Sequence, residues 1–323
     1  MPKLNPKALV ILAFIAIYVI WGSTYLLNKI AVAEVAPFFL AAIRFSSAGI
    51  IIFIIARIMK LDLSITKRKL LNSSFVGFLF LVYGNGVFVW ALKYIDSGFA
   101  SLLASTQPLV VLLLMRLIDN KKMQAKSLIG IALGVLGMYL LVSQQELITN
   151  ENMLIGIAMI FSCVLVWSYA SIYVGKADLP KNYFVSTGYQ MIISSFMLVI
   201  ASVIFDEDWV SPLNWSMNVV WSMLLLISFG SIIAFTAFNY LLKEVSTEKV
   251  STSAYVNPVI ALFLGWYILD EQLSLQSIIA SVILLTGVYF ITSRKRHTKT
   301  AQVSGIRKKV KVFRKYCYFI NYS

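Results

Sequence analysis

The sequence predicts an all-α polytopic membrane protein with ten transmembrane helices, and three observations support this fold class. Of 323 residues, 59% are hydrophobic and only 13% are charged, whereas soluble domains are roughly 45–50% apolar and about 25% charged. Ten apolar stretches of spanning length follow one another along the chain. Basic residues gather in every second loop between them. These features exclude a soluble enzyme, a disordered chain and a disulfide scaffold.

Each predicted span is an apolar run long enough to cross the hydrocarbon core, which takes about 20 helical residues. In chain order, spans 1 to 10 cover residues 8–28, 37–58, 72–93, 98–118, 127–144, 153–175, 183–205, 217–241, 250–269 and 275–293. Span 1 is longer than the apolar core of a secretory signal and contains Trp21 and Tyr25. We therefore expect it to remain as a helix.

The charges of the loops orient these spans. With the N-terminus in the cytoplasm, 25 of the 28 Lys and Arg residues lie on the cytoplasmic side, ten of them from Arg294 onward. Lys29 and Lys93 then lie outside, and Arg44 lies within span 2. Because cytoplasmic loops carry the excess of Lys and Arg, we predict a multi-pass protein of the inner (plasma) membrane with both termini in the cytoplasm.

The chain also contains an internal repeat. A shift of 150 residues aligns 93–143 with 243–293 without a gap and makes 12 of the 51 positions identical. Pro108 pairs with Pro258 in this register. Further upstream, Trp21 near the start of one half corresponds to Trp167 near the start of the other.

Each half has five spans, an odd number, so the second half enters the membrane from the opposite side. We therefore predict two inverted five-helix repeats, 8–144 and 153–293, followed by a basic cytoplasmic tail, 294–323. Inverted repeats are typical of secondary transporters, in which two related halves expose one site alternately to each side. Channels and membrane enzymes can contain repeats too.

Several short motifs give the chain a family resemblance. They are Trp21-Gly22-Ser23, Pro37, Arg44-Phe45, Pro108, Pro258, Asp270-Glu271 and Gly287. With the repeat, they make residues 8–293 resemble the EamA family of the drug/metabolite transporter superfamily. The resemblance implies export of small metabolites, amino acids or amphipathic toxic compounds across the bacterial cytoplasmic membrane. Asn120-Lys121-Lys122, where the family often has Gly-Glu, and the basic tail depart from the pattern.

Polar and aromatic side chains inside the spans are the candidate substrate-binding residues. They are Trp21, Arg44, Asn85, Trp90, Gln107, Trp167, Asn239, Tyr240, Tyr255 and Asn257. Amides can hydrogen-bond a solute, and aromatic rings can stack on it. Each residue also has a purely structural interpretation, as interhelical hydrogen bonding, interface anchoring or core packing.

Pro108 and Pro258 are the candidate helix breaks. Proline has no N–H and clashes with the carbonyl four residues back, here that of Ala104 or Ala254. A freed carbonyl at membrane depth is tolerated where it lines a cavity or finds another partner. The alternative is a kink that serves helix packing alone.

Arg44 is the basic residue that lies well inside a span. A charge near the bilayer centre costs about 2.5–3.5 kcal/mol on insertion scales, so we expect its side chain to face protein or water. It could bind a substrate carboxylate or gate the outer cavity. The alternatives are snorkelling to the outer interface and pairing with Glu34 or with a carbonyl.

The sequence offers no catalytic, metal-binding or cofactor-binding set. His297 is the single histidine, Cys163 and Cys317 are the two cysteines, and the glycines form no phosphate loop. All 14 acidic residues lie in loops or near span ends, so we expect no carboxylate proton relay.

We therefore predict a secondary transporter, not an enzyme, that exports a small metabolite by alternating access. Its expected partners are a small-molecule substrate and the lipid bilayer, with no nucleic acid, and a homo-oligomer is left open. The alternatives are an uptake carrier of the same fold and, from another class, a lipid flippase or membrane enzyme.

Overall fold

A computed structural model describes residues 5–95, 97–120, 124–143, 153–260 and 274–292. Within these ranges the chain is helical and contains no strand, which confirms the all-α fold class. The predicted tail, 294–323, lies outside the described residues, as do Asp270 and Glu271.

The first half begins with two long helices, each of which has a proline in its first turn. Its elements are α1 (Pro6–Val32), α2 (Pro37–Ile58), α3 (Lys67–Gly77), the π-helix π1 (Phe78–Val87), α4 (Phe88–Ala91), α5 (Ser97–Ala104), α6 (Gln107–Asp119) and α7 (Ala125–Val142). Pro6 and Pro37 stand in the first turns of α1 and α2, where a missing N–H costs nothing. Asn120 adopts the left-handed conformation, with φ of 49°, and ends α6.

The second half repeats this order of elements. They are α8 (Met153–Lys176), α9 (Tyr183–Ile204), a 3₁₀ turn (Pro212–Asn214), α10 (Met217–Leu225), the π-helix π2 (Leu226–Phe235), α11 (Thr236–Glu244), α12 (Thr247–Val250), α13 over residues 253–260, and α14 (Leu275–Thr292). Asn182 caps α9 by accepting hydrogen bonds from the N–H groups of Phe184 and Val185. Ser216 caps α10 through the N–H of Val219.

Six helical stretches among the described residues are long and apolar enough to cross a membrane. They are Pro6–Val32, Pro37–Ile58, Lys67–Ala91, Met153–Lys176, Tyr183–Ile204 and Met217–Glu244. Two shorter apolar helices cover Ala125–Leu140 and Leu275–Ile291. Predicted span 4 divides into α5 and α6, and predicted span 9 lies partly outside the described residues. The count of ten spans stays a prediction.

The outward-facing surface of these helices is apolar. Large apolar side chains such as Leu154 and Ile204 are 76% and 72% exposed. A soluble monomer rarely exposes large contiguous apolar patches, whereas lipid solvates them. With the six apolar stretches, this surface indicates an integral membrane protein.

Small residues let equivalent helices of the two halves pack closely. α2 packs along α9, and α7 packs along α14. A β-carbon at Gly130 of α7 would lie 2.7 Å from the carbonyl oxygen of Gly287 in α14. Since real β-carbons do not approach an oxygen so closely, only glycine permits this contact, as in other membrane helix pairs.

The first helix of each half packs against the other half. α1 contacts α10, π2 and α11, while α8 contacts π1, α4, α5 and α6. Side chains of both halves share one buried apolar cluster, which includes Ile17, Phe80 and Phe238. This exchange brings the middle of α1 and the middle of α8 together at the centre of the bundle.

Candidate functional site

A cavity of about 110 Å³ lies where the two halves meet. Its polar wall is formed by Thr24, Asn28, Arg44, Asn85, Gln107, Ser231, Ser253 and Asn257. Its aromatic wall is formed by Trp21, Tyr25, Phe45, Phe88, Trp167 and Phe235. A water molecule occupies ~30 Å³ of liquid volume, so the cavity has room for a few waters or a small solute. Among the described residues that line it, none is acidic.

Trp21 and Trp167 cross at one wall of this cavity. Their ring centroids lie 5.8 Å apart in an edge-to-face arrangement, a geometry that aromatic pairs favour. Trp21 Nε1 donates to the carbonyl oxygen of Gly230, 3.3 Å away in π2. The Trp167 ring lies against Gly84 of π1, where a β-carbon would be 2.8 Å from its Cε3. Each tryptophan therefore packs on the π-helix of the opposite half.

The two π-helices form matching parts of the cavity wall. Asn85 follows Gly84 in π1, and Ser231 follows Gly230 in π2. π-Helices are rare and often occur at functional sites. The sequence alone did not predict either π-helix or the role of Ser231 in the cavity wall. The glycine followed by a polar residue, repeated at a shift of 146, was the signal that could have pointed to Ser231.

Arg44 turns inward and is held by neutral groups. Its side chain is only 4% exposed, Nε donates to Ser231 Oγ at 2.8 Å, and Nη1 donates to Asn28 Oδ1 at 3.3 Å. The guanidinium lies over the Phe45 ring, 5.0 Å from its centroid. Among the described residues, no carboxylate lies within ion-pair distance of it.

The structure disfavours two alternatives for Arg44. Its burial is incompatible with snorkelling to the interface. Glu34, the carboxylate considered as its partner, instead accepts hydrogen bonds from the N–H and Oγ of Ser216, at 3.1 and 2.6 Å. Glu34 thereby stabilises the N-terminus of α10, where a negative charge is favourable.

Three predicted amides line the cavity beside Arg44. They are Asn85 in π1, Gln107 at the start of α6 and Asn257 in α13. Asn85 Oδ1 is buried and finds no hydrogen-bond partner among the described residues. An unsatisfied buried acceptor costs free energy, so this oxygen is suited to a donor on a bound solute.

The two prolines directly follow Gln107 and Asn257, which line the cavity. α5 ends at Ala104, and Pro108 is the second residue of α6, so the first-half helix breaks just before the proline. In the second half the described helix runs from 253 through Pro258 to 260. Ala104 and Ala254, whose carbonyls lie four residues before the prolines and therefore lack the usual helical donor, both line the cavity.

Trp90 and Tyr255 lie away from this cavity. Trp90 lines a larger cavity, of about 690 Å³, on the predicted outer side, and its ring packs on Phe205 with centroids 5.0 Å apart. Tyr255 is buried against Gly134 of α7, where a β-carbon would clash with its ring.

Asn239 and Tyr240 also face elsewhere. Asn239 donates to Thr187 Oγ1 at 3.1 Å and to Gln190 Oε1 at 3.3 Å, which connects α11 to α9. Tyr240 packs edge-to-face on Tyr183, with ring centroids 5.2 Å apart. For these residues the structure shows interhelical packing.

Comparisons with known proteins find one family repeatedly. The EamA-like transporter family model matches residues 8–143 and again residues 154–293. The Escherichia coli (strain K12) "Uncharacterized inner membrane transporter YedA" is 34% identical over 286 residues, which cover 88% of this chain and 90% of that protein. The Salmonella typhimurium "Probable amino-acid metabolite efflux pump" is 25% identical over 297 residues, which cover 90% and 96%.

A solved structure shows the same fold. That crystal structure is 17% identical, has a TM-score of 0.73, and the match covers 91% of this chain and 100% of that one. The predicted family resemblance is confirmed, since the family model matches more than half of the sequence and a relative above 30% identity spans most of it. The chain belongs to the EamA-like transporter family.

Proposed function

We propose that this protein is a secondary transporter that exports a small metabolite by alternating access, with the cavity described above as its substrate site. The observation behind this proposal is that both halves build the cavity, at the crossing of Trp21 and Trp167. A site formed between two related halves can be exposed to either side when those halves exchange conformations.

Two features support ten spans in two inverted repeats, with both termini in the cytoplasm. The family model matches the chain twice, once in each half. α2 and α9 are each 22 residues long and begin 146 residues apart. Five spans in each half would place α2 and α9 antiparallel across the membrane. The excess of basic residues in alternate loops favours a cytoplasmic location for both termini.

The chemistry of the cavity wall favours transport over catalysis. Among its described residues are amides, hydroxyls, aromatic rings, one thiol and one guanidinium, but no carboxylate and no imidazole. General acid–base catalysis relies mostly on such titratable groups. Outward transport is favoured by the relative named as an amino-acid metabolite efflux pump.

Cysteine labelling tests whether this cavity is the substrate site. In a background with Cys163→Ala and Cys317→Ser, we expect Gln107→Cys and Asn257→Cys to react with a water-soluble thiol reagent as the protein cycles. Asn239→Cys is the matched control, because Asn239 is buried outside the cavity.

The same variants are assayed in proteoliposomes with a panel of labelled amino acids, organic acids and amphipathic amines. We expect a transported compound to slow the labelling of the cysteines at 107 and 257 at least fivefold. The control cysteine at 239 should stay unlabelled with and without the compound. Transport without protection at either position would place the substrate elsewhere. Flux in right-side-out and inverted cell vesicles then tests the direction.

A further inference from the structure

We infer that Arg44 is an anion-recognition residue and that the substrate is a small organic monocarboxylate, bound with its carboxylate against the guanidinium. This inference rests on the proposed transport function and names its substrate class. It follows from the hydrogen bonding of Arg44, the charge of the cavity wall and the size of the cavity.

The guanidinium has donors to spare. Arginine presents five N–H groups, and the described residues accept from only two of its atoms, Nε through Ser231 and Nη1 through Asn28. Nη2 has no acceptor among the described residues. It lies beside Gly230, where a β-carbon would be 3.1 Å away. Because residue 230 has no side chain, nothing at this position covers Nη2, and both residues line the cavity.

The charge of Arg44 is not neutralised by its neighbours. Ser231 and Asn28 are neutral, and the described residues place no carboxylate within ion-pair distance. A buried charge without a partner is costly, and arginine stays protonated in proteins. A carboxylate can take two parallel N–H···O bonds from the guanidinium fork, so a bound anion would supply both the missing acceptors and the missing charge.

The neighbours of Arg44 hold the fork in place before a ligand arrives. Ser231 fixes Nε, Asn28 fixes Nη1 and the Phe45 ring covers one face of the guanidinium. A guanidinium that is already oriented loses little conformational entropy on binding. Lysine would provide the charge at this position without the planar fork.

Arg44 is the one charged side chain among the described residues of the cavity wall, which favours a ligand with a single negative charge. A dicarboxylate would leave its second charge uncompensated, and an amino acid would bring an ammonium charge for which the described wall offers only neutral acceptors such as Asn85 Oδ1. The cavity, about 110 Å³, is smaller than the ~150 Å³ engineered cavity that binds benzene. A two- to four-carbon acid fits in this volume.

Three compounds of equal size separate the alternatives: L-lactate is an anion, L-lactamide is neutral and L-alanine is a zwitterion. In proteoliposomes, after subtraction of leakage through protein-free vesicles, we expect lactate flux at least tenfold above lactamide flux and above alanine flux. Lactate should also protect Cys163, which lines the cavity, from a small thiol reagent, and lactamide should not.

Arg44→Gln should lower lactate flux at least tenfold and lower lactamide flux by a much smaller factor. Arg44→Lys keeps the charge and should retain more lactate flux than Arg44→Gln does. Lys29→Gln is the matched control, because it removes a positive charge that lies outside this cavity and should leave the preference for lactate unchanged. If Arg44→Gln does not fold, three measurements still test the inference. They are the lactate flux of Arg44→Lys, the preference of the wild type for lactate, and the protection of Cys163 by lactate.

Equal flux of lactate and lactamide, or an equal loss of both in Arg44→Gln, would overturn the assignment of Arg44 as an anion site. A preference for alanine over lactate would overturn the monocarboxylate class. The two proposals fail separately: a protein that moves amines or neutral solutes but no carboxylate refutes only this inference. One that moves no compound of any charge refutes the transport proposal.

Discussion

Arg44 and Gln190 occupy the same place in two related helices and form different environments. Each is the eighth residue of a 22-residue helix, α2 or α9, and each is buried. Arg44 bonds to Ser231 of π2 in the opposite half and lines the cavity. Gln190 donates to Ser186 one turn back and accepts from Asn239 of α11, so both ends of its amide are used inside the second half.

The repeat builds the scaffold, and departures from it build the site. The scaffold contacts are matched, since Trp21 packs on Gly230 and Trp167 packs on Gly84. The polar groups at this place are not matched: one half places the cation Arg44 at the cavity, and the other places the neutral amide of Gln190 outside the described cavity wall. A symmetric pair of arginines would bury two uncompensated charges, which the membrane penalises.

The largest expected effect comes from making the halves alike. Gln190→Arg would place a second guanidinium where the described neighbours are hydroxyls and an amide. Leaving a buried charge unpaired costs about 3–5 kcal/mol, so we expect a large fall in the thermal unfolding midpoint in detergent, or failure to fold. Gln190→Met, of similar length and neutral, should cost about 1–2 kcal/mol for the lost hydrogen bonds. If the arginine variant is as stable as wild type, the two positions are interchangeable and the comparison fails.

The sequence predicted the long helices well because their apolar length determines them. Predicted span 2, 37–58, matches α2, and predicted span 7, 183–205, matches α9 to one residue. The π-helices were not predictable in this way, because a shift in hydrogen-bond register leaves the apolar composition unchanged.

The side chains that face the cavity were only partly predictable. Successive residues of an α-helix point about 100° apart, so a rotation that hydropathy does not set decides which of them face inward. Trp21, Arg44 and Asn85 line the cavity, whereas Trp90 lines the second cavity and Asn239 bonds within the second half. The sequence identified some of the polar residues inside the spans, missed Ser231, and did not give the directions of their side chains.

A smaller effect should separate the two glycines at the crossed contacts. At Gly84 a β-carbon would lie 2.8 Å from both the Leu79 carbonyl oxygen and Trp167 Cε3, whereas at Gly230 the nearest atom, Arg44 Nη2, is 3.1 Å away. Overpacking typically costs 1–3 kcal/mol. We expect about 2 kcal/mol or more for Gly84→Ala, and less for Gly230→Ala.

Lactate transport should show the opposite order, with Gly230→Ala affected more than Gly84→Ala. Gly230→Ala fills the space beside Nη2, so we expect it to raise the lactate concentration for half-maximal flux several-fold while the protein stays folded. Thermal unfolding and lactate flux, measured on both variants, check this pair of expectations. If Gly84→Ala is the milder change in stability, the close approach of Trp167 to π1 does not constrain the bundle.

The smallest expected effect concerns Glu248, a carboxylate that is buried in α12 and accepts a hydrogen bond from Ser127 of α7. The repeat places Ser277 at the position of Ser127 and Gly98 at that of Glu248, so the matching place in the other half has no carboxylate. Glu248 is not among the described residues of the cavity wall. A carboxylate that couples protons to transport has to exchange its proton and respond to substrate, and contact with the substrate is the direct route.

We therefore expect Glu248→Gln, whose amide oxygen can still accept from Ser127, to change flux of the best-transported compound less than about twofold, because the hydrogen bond from Ser127 is kept. An imposed pH gradient should act equally on wild type and variant in proteoliposomes. Glu34→Gln is the control for loss of a carboxylate outside the cavity. A contrary result is that the pH gradient drives wild-type flux and that Glu248→Gln alone, while still folded, loses this gradient-driven flux. In that case Glu248 couples protons to transport. The second half would then contribute the titratable group just as the first half contributes the fixed charge of Arg44.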